Sequence, residues 1–372
     1  MLAILLAFTL AIPCALFSFS LSESVIQQKL AQPMPAWAMQ QIQTDLAPFL
    51  HEGASRESID ETLQAIYSMP RGQSSQFVWF EICNNAITFS TATEDPNDAR
   101  IVHFVSFFEE MAKVLKFPDV KILVSIWDNF DSPLFLHQCK GAVFSICKRS
   151  TNQKVILLPE VRNYEYYEGT RQAVLDSLSQ FPWEQRESIA FWRGNTTGGY
   201  YHYYEWDYKP RPQLVLFSKA HPELIDARFT GTYYLEKNIE SMFKDLDLFD
   251  HWGYPTGHLG YKYQVAIDGN SFASSLKWQM LSGSTILKND SDFIEWFYRG
   301  LKPNVHYIPF RIDCTDLEEK ILWLKRNDVQ ARAIAQNAHR FAMNNLTLED
   351  IAIYYHHLLG EFSKLQEAQR KY

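Results

Sequence analysis

Short, continuous apolar runs recur along the chain, and each stops at a polar or glycine-containing turn. They cover 77–82, 120–127, 143–146 and 155–158, then 188–192, 224–227, 264–267 and 284–287. The first four are too short for a helix, rich in β-branched and aromatic residues and largely continuous, which suits a strand covered on both faces, and the second series follows them in the same manner. Helix-like segments at 101–115 and 170–181 separate some of the runs. Strand alternating with helix predicts an α/β fold with a largely parallel sheet. The amino-terminal part, 24–50, has helical periodicity, and Ser58-Ile59-Asp60-Glu61 has the form of a capping box. Three predicted helices, 315–325, 329–345 and 348–366, close the chain.

At 372 residues the chain exceeds one ordinary core. Residues 23–182 and 183–372 are therefore expected as two α/β domains, divided near Pro182. Residues 2–21 carry no charge and are dominated by Leu, Ala, Ile and Phe, so residues 1–22 read as a signal peptide or membrane anchor; the alternative is a buried first helix. That reading implies the secretory pathway or a membrane surface. A net charge of −8 and the absence of any Lys/Arg run argue against a nucleic-acid partner. Aromatic residues make up 15% of the chain, serving the core first and offering surfaces on which sugars or bases stack. Beyond Cys14 in the leader, Cys83, Cys139, Cys147 and Cys314 form no CxxC pair, which disfavours a structural zinc site and suggests buried free thiols.

The second half carries a string of motifs at predicted strand ends: Phe191-Trp192-Arg193-Gly194-Asn195, Asp226-Ala227, a stretch from His258 through Tyr261-Lys262-Tyr263, Asp268-Gly269-Asn270, a run from Ser275 containing Lys277, and Phe297 through His306-Tyr307-Ile308-Pro309. Strand ends followed by such turns are where an α/β sheet presents ligand-binding atoms. The turn after Arg193, Asn195-Thr196-Thr197-Gly198-Gly199, offers amides and a guanidinium to a diphosphate, although no Gly-Lys-Ser/Thr follows as in a P-loop. A surface hairpin with Arg193 in a salt bridge is the plainer alternative. Ser275 and Lys277 open a predicted helix whose first amides suit phosphate oxygens; a helix-capping serine beside a solvated lysine is the other reading.

Taken in this order and spacing, over roughly 119–365, these motifs resemble glycosyltransferase family 90, the family of capsule- and lipopolysaccharide-modifying transferases and Rumi-type protein O-glucosyltransferases. The resemblance implies a GT-B fold with two Rossmann-like domains facing a cleft, a UDP-sugar co-substrate, inversion at the anomeric carbon, and neither metal nor other cofactor. It also implies that the segment with Asp226, Ala227 and Phe229 helps to enclose base and ribose, although a core strand with a capping acid explains these residues almost as well. An inverting transfer requires one base to take the proton of the acceptor hydroxyl, and donors to stabilise the leaving diphosphate. The family's base is similar in position to Asp128, which follows the run 120–127 in Trp127-Asp128-Asn129-Phe130-Asp131-Ser132-Pro133; Asp131 competes for the role, and a solvated turn acid is the plainer alternative. Ser275 stands where the animal members carry arginine, which bears on how the phosphates are held.

His258, Tyr261, Tyr263, His306 and Tyr307 read as architectural. The triplets Asp245-Leu246-Asp247 and Asp290-Ser291-Asp292 raise a metal-dependent transferase as an alternative, and the sequons at Asn195, Asn289 and Asn345 are common chance matches. The expected reaction is transfer of a hexose or pentose from UDP-sugar to a cell-surface glycan of lipopolysaccharide or capsule type. The alternatives are transfer to a protein serine in a secreted domain, and a catalytically silent carbohydrate-binding protein. A glycoside hydrolase would need two carboxylates flanking one bond, and Asp128 and Asp131 lie too close on one turn for that.

Overall fold

A computed structural model describes residues 20–69, 77–91, 98–128, 137–161 and 164–370. The expected leader, residues 1–22, falls almost wholly outside the described residues, as does Asp131. No helix among the described residues is long and apolar enough to cross a membrane.

The chain packs as two compact units. The first takes the chain up to Glu165 together with Ile294–Gly300 and Leu348–Tyr372, and the second comprises Tyr166–Phe293 and Leu301–Thr347. The expected division at Pro182 thus differs from the observed one, and the third closing helix belongs to the first unit instead of the second.

In the first unit, helices α1 (Glu23–Leu30), α2 (Ala36–Leu46) and α3 (Arg56–Tyr67) precede the strands β1 (Phe77–Cys83) and β2 (Ala86–Thr91), and α4 (Ala99–Val114) follows them. Then come β3 (Val120–Ser125), β4 (Val143–Ser145), the two-residue β5 (Lys148–Arg149) and β6 (Val155–Leu157), and α5 (Tyr164–Ser177) leads into the second unit. The sheet runs β2-β1-β3-β4-β6. Only β3, β4 and β6 are parallel, whereas β1 is antiparallel to both neighbours. The cause is the turn Asn84-Asn85, whose φ values of 50° and 63° make the left-handed pair that a two-residue hairpin demands. Asp119 Oδ1 accepts the Asn84 amide at 2.7 Å, and the Asn85 side chain donates to Ala112 O, so the hairpin is tied to the end of α4 and the start of β3.

The closing helix α12 (Leu348–Ala368) joins this unit because its apolar face has partners there. Tyr355 meets Phe108 edge-on at 5.2 Å, and Phe362 meets Phe144 at 5.0 Å. Buried Gln366 accepts the Lys121 amide and donates to the Lys121 and Ala54 carbonyls, satisfying backbone groups that would otherwise be stranded.

The second unit is built on β7 (Glu187–Asn195), β8 (Ile225–Gly231), β9 (Tyr261–Ala266), β10 (Thr285–Asn289) and β12 (Ile308–Phe310), while the two-residue β11 (Phe293–Ile294) straddles the point where the chain passes from one unit to the other. Helices α6 (Pro210–Ala220), α7 (Lys237–Asp245), α8 (Tyr254–Gly257), α9 (Leu276–Leu281), α10 (Leu317–Arg326) and α11 (Asp328–Asn345) connect or cover them. The five-stranded sheet is parallel throughout, ordered β12-β10-β9-β7-β8. Renumbered from its own first strand, this is the doubly wound order 2-1-3-4-5, in which the direction of winding reverses between β7 and β9. Trp192, Ala227, Phe229, Tyr263, Val265 and Leu287 lie in its apolar core. Two α/β units with parallel strands at their centres match the fold class expected from the sequence, GT-B.

Candidate functional site

Ligands of open α/β sheets bind outside the carboxyl ends of the strands where the winding reverses. In the second unit the segments at that position are Asn195–Gly199 after β7 and Asp268–Asn270 after β9, two of the motifs singled out in the sequence. They are stapled together. Asn270 Oδ1 accepts the Gly198 amide at 3.0 Å and the Gly199 amide at 3.5 Å. Both glycines have positive φ, 109° and 100°, a backbone that lets their consecutive amides converge on the one Asn270 oxygen.

A residue not foreseen in the sequence, Arg211, makes the second staple. Its Nη1 donates to Asn195 O at 2.8 Å, its Nε to Asp268 O at 3.0 Å and its Nη2 to Ile267 O at 3.3 Å, while the guanidinium lies 5.4 Å from the Trp192 ring centre. Burial lowers its pKa to about 10, which leaves it cationic at neutral pH, and all its hydrogen bonds go to carbonyls. Arg211 sits in the first turn of α6, where a cation opposes the helix dipole. A prolyl-flanked arginine at such a position, Pro210-Arg211-Pro212, was the available signal. Gly269 lies so close to this staple that an added Cβ would come within 2.6 Å of Thr197 Oγ1 and 2.8 Å of Arg211 Nη2.

Asp268 is buried, contrary to a ligand-facing role for its carboxylate. Its amide donates to Asn289 Oδ1 at 2.9 Å and its Oδ2 accepts the Ser291 hydroxyl, while Oδ1 has no hydrogen-bond partner among the described residues. Burial raises its pKa against the opposing pull of Ser291, Lys288 and Arg211.

Arg193 is engaged two residues before the strand-end turn. Its fork meets both Asp226 oxygens at 2.9 Å, and Nη2 also reaches Asp250 Oδ2 at 2.6 Å. The guanidinium lies 4.3 Å from the Phe191 ring centre, and Phe191 in turn stacks on Tyr261 at 4.1 Å. With two carboxylates on one guanidinium, Arg193 fixes the ends of β7 and β8, and the salt-bridge reading describes it. Gly194 leaves room for Trp192, whose ring would lie 2.5 Å from an added Cβ. Asn195 turns its side chain to Thr230 at 3.2 Å. Ala227 and Phe229 point into the core, Phe229 stacking on Phe243 at 5.4 Å, so neither presents its side chain to a ligand.

The Ser275–Lys277 expectation also changes in detail. Helix α9 has only six residues, and Ser275 donates to Gln279 Oε1 at 3.2 Å instead of capping the helix amides. Lys277 is buried, with its ammonium 5.7 Å from the Tyr167 ring centre, so it is not a solvated surface lysine. His258 is packed against Phe191, Trp252 and Trp278, and burial depresses its pKa to about 3, with the nearby Arg193 charge adding to the effect.

In the first unit Asp128 is exposed, three residues beyond the carboxyl end of β3 on the parallel side of that sheet. Its charge helps to raise the pKa of Arg100, behind the larger effect of the Arg100–Asp98 hydrogen bond. Of the two Asp-x-Asp triplets, Asp247 is paired with Arg228 at 2.9 Å and Asp290 accepts the Ile312 amide at 2.7 Å. Among the described residues, no three His, Cys, Asp or Glu side chains gather as a metal site. Cys139, Cys147 and Cys314 are buried thiols as expected, but Cys83 is exposed.

Comparison with known proteins supplies the family. Protein O-glucosyltransferase 2 of Danio rerio is 28% identical over 341 residues, covering 89% of this chain and 63% of the relative. Protein O-glucosyltransferase 1 of Homo sapiens is 26% identical over 345 residues, covering 87% of this chain and 79% of the relative. The chain thus spans just under two thirds of the zebrafish relative's length. A crystal structure of a glycosyltransferase from Rickettsia africae ESF-5 aligns with a TM-score of 0.40 at 10% identity, over 74% of this chain and 84% of that one. The profile described as "Glycosyl transferase family 90" matches residues 33–372, so the chain belongs to glycosyl transferase family 90.

Proposed function

We propose that this chain transfers glucose from UDP-glucose, with inversion, to a hydroxyl of a protein acceptor. The observation that carries the reading is the family match over 33–372 together with relatives named protein O-glucosyltransferases. Those names favour the protein acceptor over the lipopolysaccharide or capsule glycan first expected from the sequence.

The second unit is assigned the donor, with the ammonium of Lys277 as the group that stabilises the departing diphosphate. Arg193, Asp226, Asp268 and Arg211 are assigned positioning roles beneath the strand-end turns, and Gly194, Asn195, Gly269 and Ser275 are assigned the backbone and turn geometry around the donor. Asp128 on the first unit is assigned as general base. Its carboxylate accepts the proton of the acceptor hydroxyl as that oxygen bonds to the anomeric carbon, and the bond from that carbon to the diphosphate oxygen breaks with its electron pair leaving on UDP.

The test incubates the full chain with UDP-glucose, EDTA and a small disulfide-bonded domain bearing an exposed serine, and follows addition of one hexose by intact mass. Transfer by wild type but not by Asp128→Asn, with UDP binding changed less than threefold, is the expected result. Retained turnover in the variant removes Asp128 from the mechanism, and transfer only to free saccharides removes the protein acceptor.

A further inference from the structure

The amino-terminal edge of the second unit's sheet holds a groove with no part in the reading above. Its volume is about 460 Å³, within the ordinary range of small-ligand sites, and Trp183, Arg186, Gly283, Arg332, His339 and Arg340 line much of it. It lies at the opposite end of β7 from the Asn195 turn, a span of roughly 26 Å for an extended strand of that length.

The lining contains three arginines and no acid in a chain whose net charge is −8. Arg186 is the unusual member. It is 8% exposed, and its Nε and Nη1 are spent on Phe181 O and Ser284 Oγ at 2.9 Å each. Its Nη2 has no hydrogen bond among the described residues, and an added Cβ on Gly283 would lie 3.5 Å from it. Helix α11 supplies Arg332, Gln336, His339 and Arg340 at i, i+4, i+7 and i+8, one face of the helix. Arg332 is neutralised by Glu184 at 2.5 Å, but among the described residues Arg340 meets only the amide oxygen of Asn337. Arg186 thus keeps N–H capacity beyond its two internal bonds, and a guanidinium matches phosphate oxygens through parallel N–H groups. Burial lowers the Arg186 pKa to about 10, so it is charged at neutral pH.

We propose that this groove is a second ligand site, built for a small phosphate-type anion held by Arg186 at its floor and Arg340 at its rim. The probe is inorganic pyrophosphate, titrated calorimetrically into the full chain. A saturable component that survives Lys277→Ala, and that Arg340→Glu weakens at least tenfold without lowering Tm, is the expected result. Because Arg186→Ala can fail to fold, Arg186→Lys serves as the second variant and should weaken the same component. Equal pyrophosphate affinity in wild type and Arg340→Glu overturns the proposal, as does the absence of any saturable component in Lys277→Ala. Co-sedimentation with vesicles containing phosphatidic acid separates the sources. Vesicle binding that pyrophosphate displaces assigns a lipid headgroup, and pyrophosphate binding without vesicle binding assigns a free anion; either result supports the site.

Discussion

Arg193 and Asp226, on adjacent parallel strands, face each other as a two-pronged pair with both N–O distances at 2.9 Å. The arginine side chain is 5% exposed and the aspartate 31%, so the pair is only partly screened by water. Removing the carboxylate leaves a buried cation with Asp250 alone. Asp226→Ala is expected to destabilise the fold by about 1–3 kcal/mol, with a coupling to Arg193→Lys of about 0.5–3 kcal/mol in a double-mutant cycle. Urea unfolding measures both. UDP affinity in folded Asp226→Asn should stay within threefold of wild type, and a loss beyond tenfold would return Arg193 to direct phosphate contact.

Gly269 and Gly360 predict opposite outcomes for one chemical change. A methyl group at Gly269 pushes against Thr197 Oγ1 and Arg211, the contacts that hold the two strand-end turns together. Gly269→Ala should cost about 1–3 kcal/mol and weaken UDP binding at least tenfold. At Gly360, inside α12, an added Cβ meets nothing within 4 Å. Gly360→Ala should stabilise by about 0.5–1 kcal/mol, with UDP affinity unchanged. Thermal unfolding and UDP titration of the two variants side by side check the contrast.

The strands at the centres of the two sheets were legible because they are mostly buried apolar runs, and the site's turns were legible because glycine and Asn/Asp mark them. What escaped notice depended on distant partners. The hairpin of β1 and β2 has its signal in Asn84-Asn85, but only the paired strand shows that the sheet turns antiparallel there. The assignment of α12 to the first unit rests on Phe108, Phe144 and Lys121, all more than two hundred residues upstream. Arg193 read as a phosphate ligand until Asp250, 57 residues away, joined Asp226 on its guanidinium. Alternation within β8 could have separated inward Ala227 and Phe229 from Asp226, since successive side chains face opposite sides of a strand.

Lys277 distinguishes donor binding from packing. Its stem is buried in α9 and its ammonium lies over Tyr167, so truncation loses both apolar contact and charge. Lys277→Met keeps most of the stem. It should retain the wild-type Tm within a few degrees while UDP affinity falls at least tenfold, whereas Tyr167→Phe should leave affinity unchanged. Unaltered UDP affinity in Lys277→Met would assign the lysine to packing alone.

His258 should make the second unit acid-sensitive. Burial among Phe191, Trp252 and Trp278 holds its folded pKa near 3, below the ordinary value of 6.5. The unfolded chain therefore binds a proton between those values that the folded chain refuses. Stability is complete above the unfolded pKa and declines as pH falls through the window toward 3, by about 1.4 kcal/mol per pH unit from this residue. His258→Phe places a ring of similar shape in the same aromatic surroundings and removes the titration. The stability lost between pH 7 and pH 5, measured by urea unfolding, should shrink by about 2 kcal/mol in the variant. An unchanged loss would mean that the buried imidazole already gains its proton in the folded state.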